Sequence, residues 1–279
     1  MRKKVGLIGY PVSHSMSPQM QNGAFEKAGL SYVYDKYEVH PDQLAEAVQD
    51  MREKGFAGWN VTIPHKQAIM PFLDEIAEDA LKIGAVNTVV NENGVLTGYN
   101  TDGAGFVKGL MRHVRFPIEE AKVLIIGAGG ASRAISYALS KEGPRAIAIT
   151  NRTMEKAQDI FNECLRDQDQ VISLQEAEER LFEFSIVINT TSIGMKEDRL
   201  PLRVDHLKAG TVVSDIIYNP FKTALLKESE KRGAIIDNGV AMLVFQGALS
   251  FEKWTGVAPD ASLMEKIVIE ELGGSYVNR

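Results

Sequence analysis

The sequence predicts an α/β protein in which helices wrap a parallel sheet, joined to a second α/β region. Two observations predict it. Between residues 123 and 231, short apolar runs alternate with helical segments, the arrangement of successive βαβ units. At the head of that stretch Val123-Leu124-Ile125-Ile126 breaks into Gly127-Ala128-Gly129-Gly130-Ala131-Ser132-Arg133. A buried strand that gives way to glycines and resumes as a helix delivers its backbone to a phosphate. Everything before it belongs to a different module, and everything after it completes this one and closes the fold.

The elements follow in order. Val5 to Gly9 reads as a short buried strand. Ser17 suits an N-cap and Pro18 the first position of a helix running to Ala28, with Gly29 as its stop. Tyr32 to Val39 is β-branched and aromatic, a strand. Asp42 to Lys54 is helical and stops at Gly55. Trp59 to Ile63 is a strand ended by Pro64, followed by a helix through Ile69 and Phe72. Val86–Val90 and Val95–Tyr99 flank Asn91-Glu92-Asn93-Gly94, a hairpin signal. Asn100-Thr101-Asp102-Gly103 opens a helix towards Val114, and Pro117 to Lys122 links into the second module. There the expected order is strand 123–126, helix 131–141, strand 146–150, helix 153–165, strand 171–173, helix 175–181, strand 184–189, strand 211–217 and helix 221–231. After Asn238-Gly239 two helices follow, at 240–254 and 260–272.

Composition sets limits on function. With 279 residues, 44% hydrophobic and 24% charged, the chain suits two modest domains. A net charge of −6 argues against a general nucleic-acid or anionic-membrane binder. Cys164 is the only cysteine, so no intramolecular disulfide forms and no cysteine metal site is expected. The five histidines show no metal-ligand spacing. No apolar run reaches the length of a signal-peptide core or a membrane span. The expectation is a cytoplasmic protein acting on a small molecule, without metal, nucleic acid or membrane, as a monomer or homodimer.

The glycine loop is G-x-G-x-x-S rather than G-x-G-x-x-G, with Ser132 as the third small residue. Gly127 and Gly129 let backbone N–H groups approach a pyrophosphate, and the next helix adds its positive end. An NAD site places an acid about 20 residues on, at the tip of the second strand. Here that tip is Thr150-Asn151-Arg152-Thr153, with no acid. The planar fork of Arg152 suits a 2′-phosphate, so NADP is the expected cofactor. The plain alternative makes the loop an ordinary tight turn, Arg152 a solvated charge and Thr153 a helix cap.

A dinucleotide fold names no reaction. In the first hundred residues Ser15 and Ser17, then Asn60, Thr62 and Lys66, then Asn87, then Asp102 stand out. Asn60 and Thr62 are two apart on one strand and would share a face. Each also has a structural account: Ser17 and Asp102 as caps, Lys66 as solvated charge, Asn60 and Thr62 as edge-strand surface. His65 invites an acid–base role but as the neighbour of Lys66 is expected to point away, in a structural or surface role.

The segments Ser13-His14-Ser15-Met16-Ser17-Pro18, Gly58-Trp59-Asn60-Val61-Thr62-Ile63-Pro64-His65-Lys66, Gly84-Ala85-Val86-Asn87-Thr88 and Asn100-Thr101-Asp102-Gly103 resemble the signatures of the shikimate dehydrogenase family. So do Gly127 to Arg133, Asn151-Arg152-Thr153, Thr191-Ser192-Ile193-Gly194-Met195, Asp215 to Pro220 and Asn238 to Leu243, in the family's order along nearly the whole chain. The resemblance implies NADPH-dependent reduction of 3-dehydroshikimate to shikimate, on the route to chorismate and aromatic amino acids. It implies an N-terminal α/β substrate domain, 1–102 with 239–279, and a Rossmann-like NADP-binding domain, 103–238, with the active site in the cleft between them.

Carried over by position, Ser15 and Ser17 would hold the substrate carboxylate. Asn60, Thr62, Asn87, Asp102 and Gln246 would bond the ring hydroxyls, with Tyr218 as a further substrate contact. Lys66 and Asp102 would form the catalytic pair. Gly127, Ala128, Gly129, Gly130, Ala131, Ser132, Asn151, Arg152, Thr153 and Met195 would bind NADP, and Ile216, Gly239 and Met242 would line the nicotinamide. Glu78 matches a position sometimes assigned to the cofactor. Two alternatives remain: a quinate/shikimate dehydrogenase of broader specificity, decided around Ser15, Ser17 and Thr62, and a non-catalytic NADP-responsive binding protein. The second would lack Lys66 or Asp102, and both are present.

Overall fold

A computed structural model describes residues 2–273, so residues 1 and 274–279 of the expected first domain lie outside the described residues. The chain divides into two compact units. One holds the residues up to Thr101 together with those from Leu243 onward, and the other holds Asp102–Met242. Asp102 and residues 239–242, expected at the edge of the first domain, thus stand in the second unit.

The first unit begins with β1 (Lys3–Gly9), α1 (Ser17–Lys27), β2 (Tyr32–Glu38), α2 (Leu44–Glu53), β3 (Gly58–Val61) and α3 (His65–Ala68). β4 (Glu75–Ile76), α4 (Glu78–Ile83), β5 (Thr88–Glu92) and β6 (Val95–Tyr99) follow. The sheet order is β2-β1-β3-β5-β6-β4. β1 is parallel to β2 and β3, whereas β5 runs antiparallel to both its neighbours. Asn93 and Gly94, both at positive φ (56° and 93°), make the two-residue hairpin turn between β5 and β6. Ile8, Trp59, Ile69, Val89 and Leu96 fill the core on one face.

The second unit continues with α5 (Asp102–Leu110), β7 (Lys122–Ile126), α6 (Gly130–Glu142), β8 (Ala146–Thr150) and α7 (Met154–Cys164). β9 (Gln170–Val171), α8 (Leu174–Glu179), β10 (Ile186–Asn189), β11 (Val212–Asp215), α9 (Ala224–Lys231) and β12 (Ile235–Asp237) complete its sheet. Every pairing in the order β12-β11-β10-β7-β8-β9 is parallel. β7 explains why its apolar run is unbroken. Val123 and Ile125 enter one buried cluster, Leu124 and Ile126 the opposite one, as a strand covered on both faces requires. β7 and β10 lie side by side where the strand order reverses, the position at which such sheets take their ligand.

Last come α10 (Gly239–Thr255) and α11 (Ala261–Glu271). The unit boundary falls inside α10, between Met242 and Leu243. Beyond it, Trp254 donates its indole N–H to the Val89 carbonyl (2.9 Å) and Phe25 stacks on Phe251 at 4.7 Å. Gly58 makes the approach of Trp254 possible, since a Cβ there would lie 2.4 Å from the indole nitrogen.

Several local expectations change. Ser17 is the first residue of α1 rather than its cap. Met16 takes the N-cap position with helical backbone, and Ser15 Oγ accepts the Ser17 N–H at 3.2 Å instead. Thr62 lies past the end of β3, because the chain turns into α3 when its carbonyl accepts the His65 N–H. The expected helix through Phe72 is a single turn, α3, followed by the 3₁₀ turn Met70–Phe72. Thr153 occupies the N-cap of α7, yet its side chain accepts no capping hydrogen bond. β4 and β12, of two and three residues, leave no periodic signal.

Candidate functional site

In the first unit the expected substrate residues Asn60, Thr62 and Asn87 lie at or beside the ends of β3 and β5, Ser17 and Lys66 on α1 and α3, and Gln246 on α10. Ser15 Oγ donates to Ser17 Oγ at 3.1 Å, and Ser17 is buried at the start of α1. A helix start with two hydroxyls suits a carboxylate, since the first N–H groups have no partner within the helix. Lys66 is half-buried on α3, and its carbonyl accepts the Val86 N–H at 2.8 Å. Thr62 is half-buried one turn before it.

Asn60 and Asn87 belong to a buried polar network. Asn60 Oδ1 accepts from the Tyr34 hydroxyl at 2.8 Å, while its Nδ2 donates to the Asn87 carbonyl, Thr88 Oγ1 and Ser250 Oγ at 3.0–3.1 Å. Asn87 Oδ1 accepts the Thr101 N–H (2.8 Å) and the Thr88 hydroxyl (2.9 Å), and its Nδ2 donates to Thr101 Oγ1 (2.9 Å). Ser250, on α10, returns its hydroxyl to the Gln246 carbonyl at 3.0 Å. Gln246 is half-buried with Nε2 donating to the Leu243 carbonyl. The network therefore joins Asn60, Asn87 and the helix that carries Gln246.

Sequence reasoning missed Tyr34, Thr88, Thr101 and Ser250. Tyr34 and Thr88 look like ordinary strand formers. Ser250, four residues past Gln246 on a helix, was the one legible signal.

His65 is buried, and its Nε2 lies 2.7 Å from the Val39 carbonyl, so the ring nitrogen donates there and is structural. Glu78 is exposed at the start of α4, in the first unit rather than the dinucleotide unit. A carboxylate at a helix start is favourable without any cofactor.

In the second unit the loop between β7 and α6 is built for backbone contacts. Gly127 has φ of +111°, and a Cβ there would lie 2.5 Å from Thr190 Oγ1. The buried Ser132 hydroxyl donates to the Gly127 carbonyl at 2.6 Å, so the third small residue ties the loop down. Ala128 and Ala131 are half-buried beside it. Gly129 and Gly130 are exposed, and a Cβ on either would meet nothing within 4 Å. Gly129 caps α6 without a side-chain bond. The start of α6 is thus uncrowded at both glycines, and the unpaired N–H groups of a helix start are chemically suited to a pyrophosphate.

At the tip of β8, Asn151 Nδ2 donates to the Thr153 carbonyl at 2.8 Å, and Arg152 is exposed without a hydrogen bond or ion pair among the described residues. Met195 is exposed as well. Asp215 ends β11 fully buried, taking hydrogen bonds from Thr223, Asn189 and the Ile217 N–H. Burial nonetheless pushes its carboxyl above the usual range. Ile216 and Met242 pack on the same core cluster, and burial raises the Tyr218 phenol. Gly239 admits the Ile216 carbonyl, which a Cβ would meet at 2.0 Å. Asp102, buried, is the first residue of α5. Among the described residues no cluster of His, Cys, Asp or Glu could hold a metal, and no helix is long and apolar enough to cross a membrane.

Three family models match the chain. Residues 7–89 match the shikimate dehydrogenase substrate binding domain, 111–199 match shikimate / quinate 5-dehydrogenase, and 239–269 match the shikimate 5'-dehydrogenase C-terminal domain. A shikimate dehydrogenase (NADP(+)) from Geobacillus sp. strain WCH70 is 51% identical over 277 residues, 98% of this chain and all of that one. Shikimate 5-dehydrogenase from Thermus thermophilus, crystallised with NADP(H) and shikimate, is 34% identical with a TM-score of 0.88, covering 96% of this chain and 99% of that one. Quinate dehydrogenase from Corynebacterium glutamicum, in complex with NAD, is 30% identical with a TM-score of 0.90, covering 96% and 99%.

Proposed function

The chain belongs to the shikimate dehydrogenase family, and on that premise we propose how its residues share the work. The protein is an NADP-dependent oxidoreductase that reduces 3-dehydroshikimate to shikimate, reversibly, in the biosynthesis of chorismate and aromatic amino acids. The observation that carries the reading is the pairing of an open backbone cradle at Gly129 and Gly130 with an acid-free β8 tip bearing Arg152.

Reduction of a ketone needs a hydride at carbon and a proton at oxygen. NADPH supplies the hydride when bound. The N–H groups at the start of α6 would hold its pyrophosphate, and Arg152, Asn151 and Thr153 its 2′-phosphate. Ile216, Gly239, Met242 and Met195 would line the nicotinamide. Glu78 is the weakest member of the cofactor set, since its helix start already accounts for it.

Ser15 and Ser17 take the substrate carboxylate at the start of α1. Thr62, Asn87, Gln246, Tyr218 and Asp102 take the ring hydroxyls. Asn60, whose amide hydrogens already have protein acceptors, contributes chiefly by holding its neighbours. Lys66 gives a proton to the forming hydroxyl during reduction and takes one back during oxidation, and Asp102 fixes the hydroxyl beside it. The substrate half and the cofactor half form the two domains of one enzyme. It works in the cytoplasm as a monomer or homodimer, which light scattering on the purified protein distinguishes.

Turnover assays test the reading. With NADP or NAD, and with shikimate or quinate, at alkaline pH, the largest kcat/KM is expected for shikimate with NADP. A preference for quinate with NAD would assign the broader enzyme instead. No turnover with any pair would leave only NADP binding.

A further inference from the structure

Tyr34 lies outside every role described so far, although it stands between two of them. It sits on β2 with no exposed surface. Its hydroxyl donates to Asn60 Oδ1 at 2.8 Å. Its main chain is clamped to α1 by Asn22, whose amide accepts the Tyr34 N–H and donates to the Tyr34 carbonyl, both at 2.9 Å. Its ring packs on Trp254 at 6.0 Å. Burial drives the phenol far above its ordinary pKa, so it keeps the proton that it donates to Asn60.

A side-chain amide has two orientations of similar shape, and only its neighbours choose between them. Asn60 Nδ2 faces the Asn87 carbonyl and two hydroxyls, and the hydroxyls could equally donate to an oxygen. The Asn87 carbonyl, which can only accept, fixes the amide, and the Tyr34 phenol then donates to the oxygen that remains. That orientation is what the Asn87–Thr101 arrangement rests against.

We propose that Tyr34 is a positioning residue for substrate: joined to Asn60 on one side and to α1 through Asn22 on the other, it sets the spacing between the helix that carries the carboxylate-binding serines and the hydroxyl-binding Asn87. The proposal rests on the function proposed above. A phenylalanine would fill the same volume but leave Asn60 Oδ1 buried without a donor, which the network can relieve only by moving.

The test compares Y34F with Y32F in the full-length protein. Each replaces a tyrosine of β2 by phenylalanine and removes one hydrogen bond, that of Tyr32 running to the Trp254 carbonyl at 3.0 Å, but only Y34F removes the donor at Asn60 Oδ1. For Y34F we expect the shikimate KM to rise about 10-fold, kcat to change less than about 3-fold and NADP affinity to hold, the pattern of lost ground-state positioning. Y32F should lower the melting temperature comparably and leave the shikimate KM within about 2-fold. Equal KM changes in the two variants, or none in Y34F, would overturn the proposal while the enzyme reading stands. A wild-type protein that fails to oxidise shikimate overturns both. Should Y34F not fold, 3-fluorotyrosine placed at position 34 keeps ring and hydroxyl but makes a stronger donor and weaker acceptor. A changed shikimate KM then supports the proposal, and an unchanged one refutes it.

Discussion

The two units prepare for their ligands in opposite ways. In the first, the side chains that hold the expected substrate contacts are buried and interlocked with one another: Tyr34, Asn60, Asn87, Thr88, Thr101 and Ser250 saturate one another. In the second, the groups that would meet the dinucleotide are backbone N–H groups at Gly129 and Gly130 and exposed side chains such as Arg152. The contrast follows from the ligands. A small polyol is told from its relatives by each hydroxyl, so the donors and acceptors must be fixed. A diphosphate is a charge and a shape, which a helix start recognises with no side chain at all.

The sharpest way to break this comparison is Lys66→Ala. If the first unit carries the chemistry, shikimate turnover should fall by about 10²–10⁴-fold while NADP binding, followed by fluorescence titration, stays near normal. Near-normal turnover would move the proton transfer elsewhere. Arg152→Asp should come next, weakening NADP by about 100-fold and NAD far less, because a carboxylate repels the 2′-phosphate. Equal losses for both cofactors would remove Arg152 from the cofactor site.

Gly129→Ala and Gly127→Ala separate ligand from fold within the second unit. A Cβ at residue 129 meets nothing within 4 Å, so stability should hold, yet NADP affinity should drop about 10-fold because the backbone can no longer approach. A Cβ at 127 meets Thr190 with φ at +111°, so that variant should lose stability by about 1–3 kcal/mol in denaturant titration. In the first unit Thr88→Val should cost about 1–3 kcal/mol, since it strips partners from Asn60, Asn87 and Ser250 at once.

The smallest expected effect concerns acid. Arg180 and Lys122 hold the Glu183 carboxyl down at about 2, from its ordinary value of 4.5. A depressed carboxyl contributes stability that is complete above its unfolded pKa and is lost as pH falls towards its folded one. Glu183→Gln should therefore flatten the pH dependence of stability between about 4.5 and 2, by less than about 1 kcal/mol given solvent screening. The first unit's network is built of uncharged groups, so Thr88→Val should leave that slope unchanged.

The sequence was most legible where one local rule decides. β7 is an apolar run followed by glycines, and strand and loop fall where expected. Asn93-Gly94 fixes its hairpin by the positive φ that both residues tolerate. The parallel alternation of the second unit follows from apolar runs long enough to be covered on both faces. Local rules failed where a competing partner existed. Ser17 looked like a cap, but Ser15 reached its N–H first. Thr62 shares strand spacing with Asn60 but lies beyond the strand.

What the sequence determined by itself was the glycine loop that opens α6 and a β8 tip with an arginine and no acid, because backbone freedom and charge are both readable residue by residue. What only the tertiary structure decided was which polar residues are bound to one another. Tyr34, Asn60, Thr88 and Ser250 come from three strands and a helix up to 216 residues apart in sequence. No local periodicity encodes that a phenol on β2 meets an amide on β3. The meeting is imposed by sheet register and by the packing of α10 through Trp254. Burial then makes each such bond costly to lose, which is why a tyrosine that reads as an ordinary strand former holds the substrate half in place.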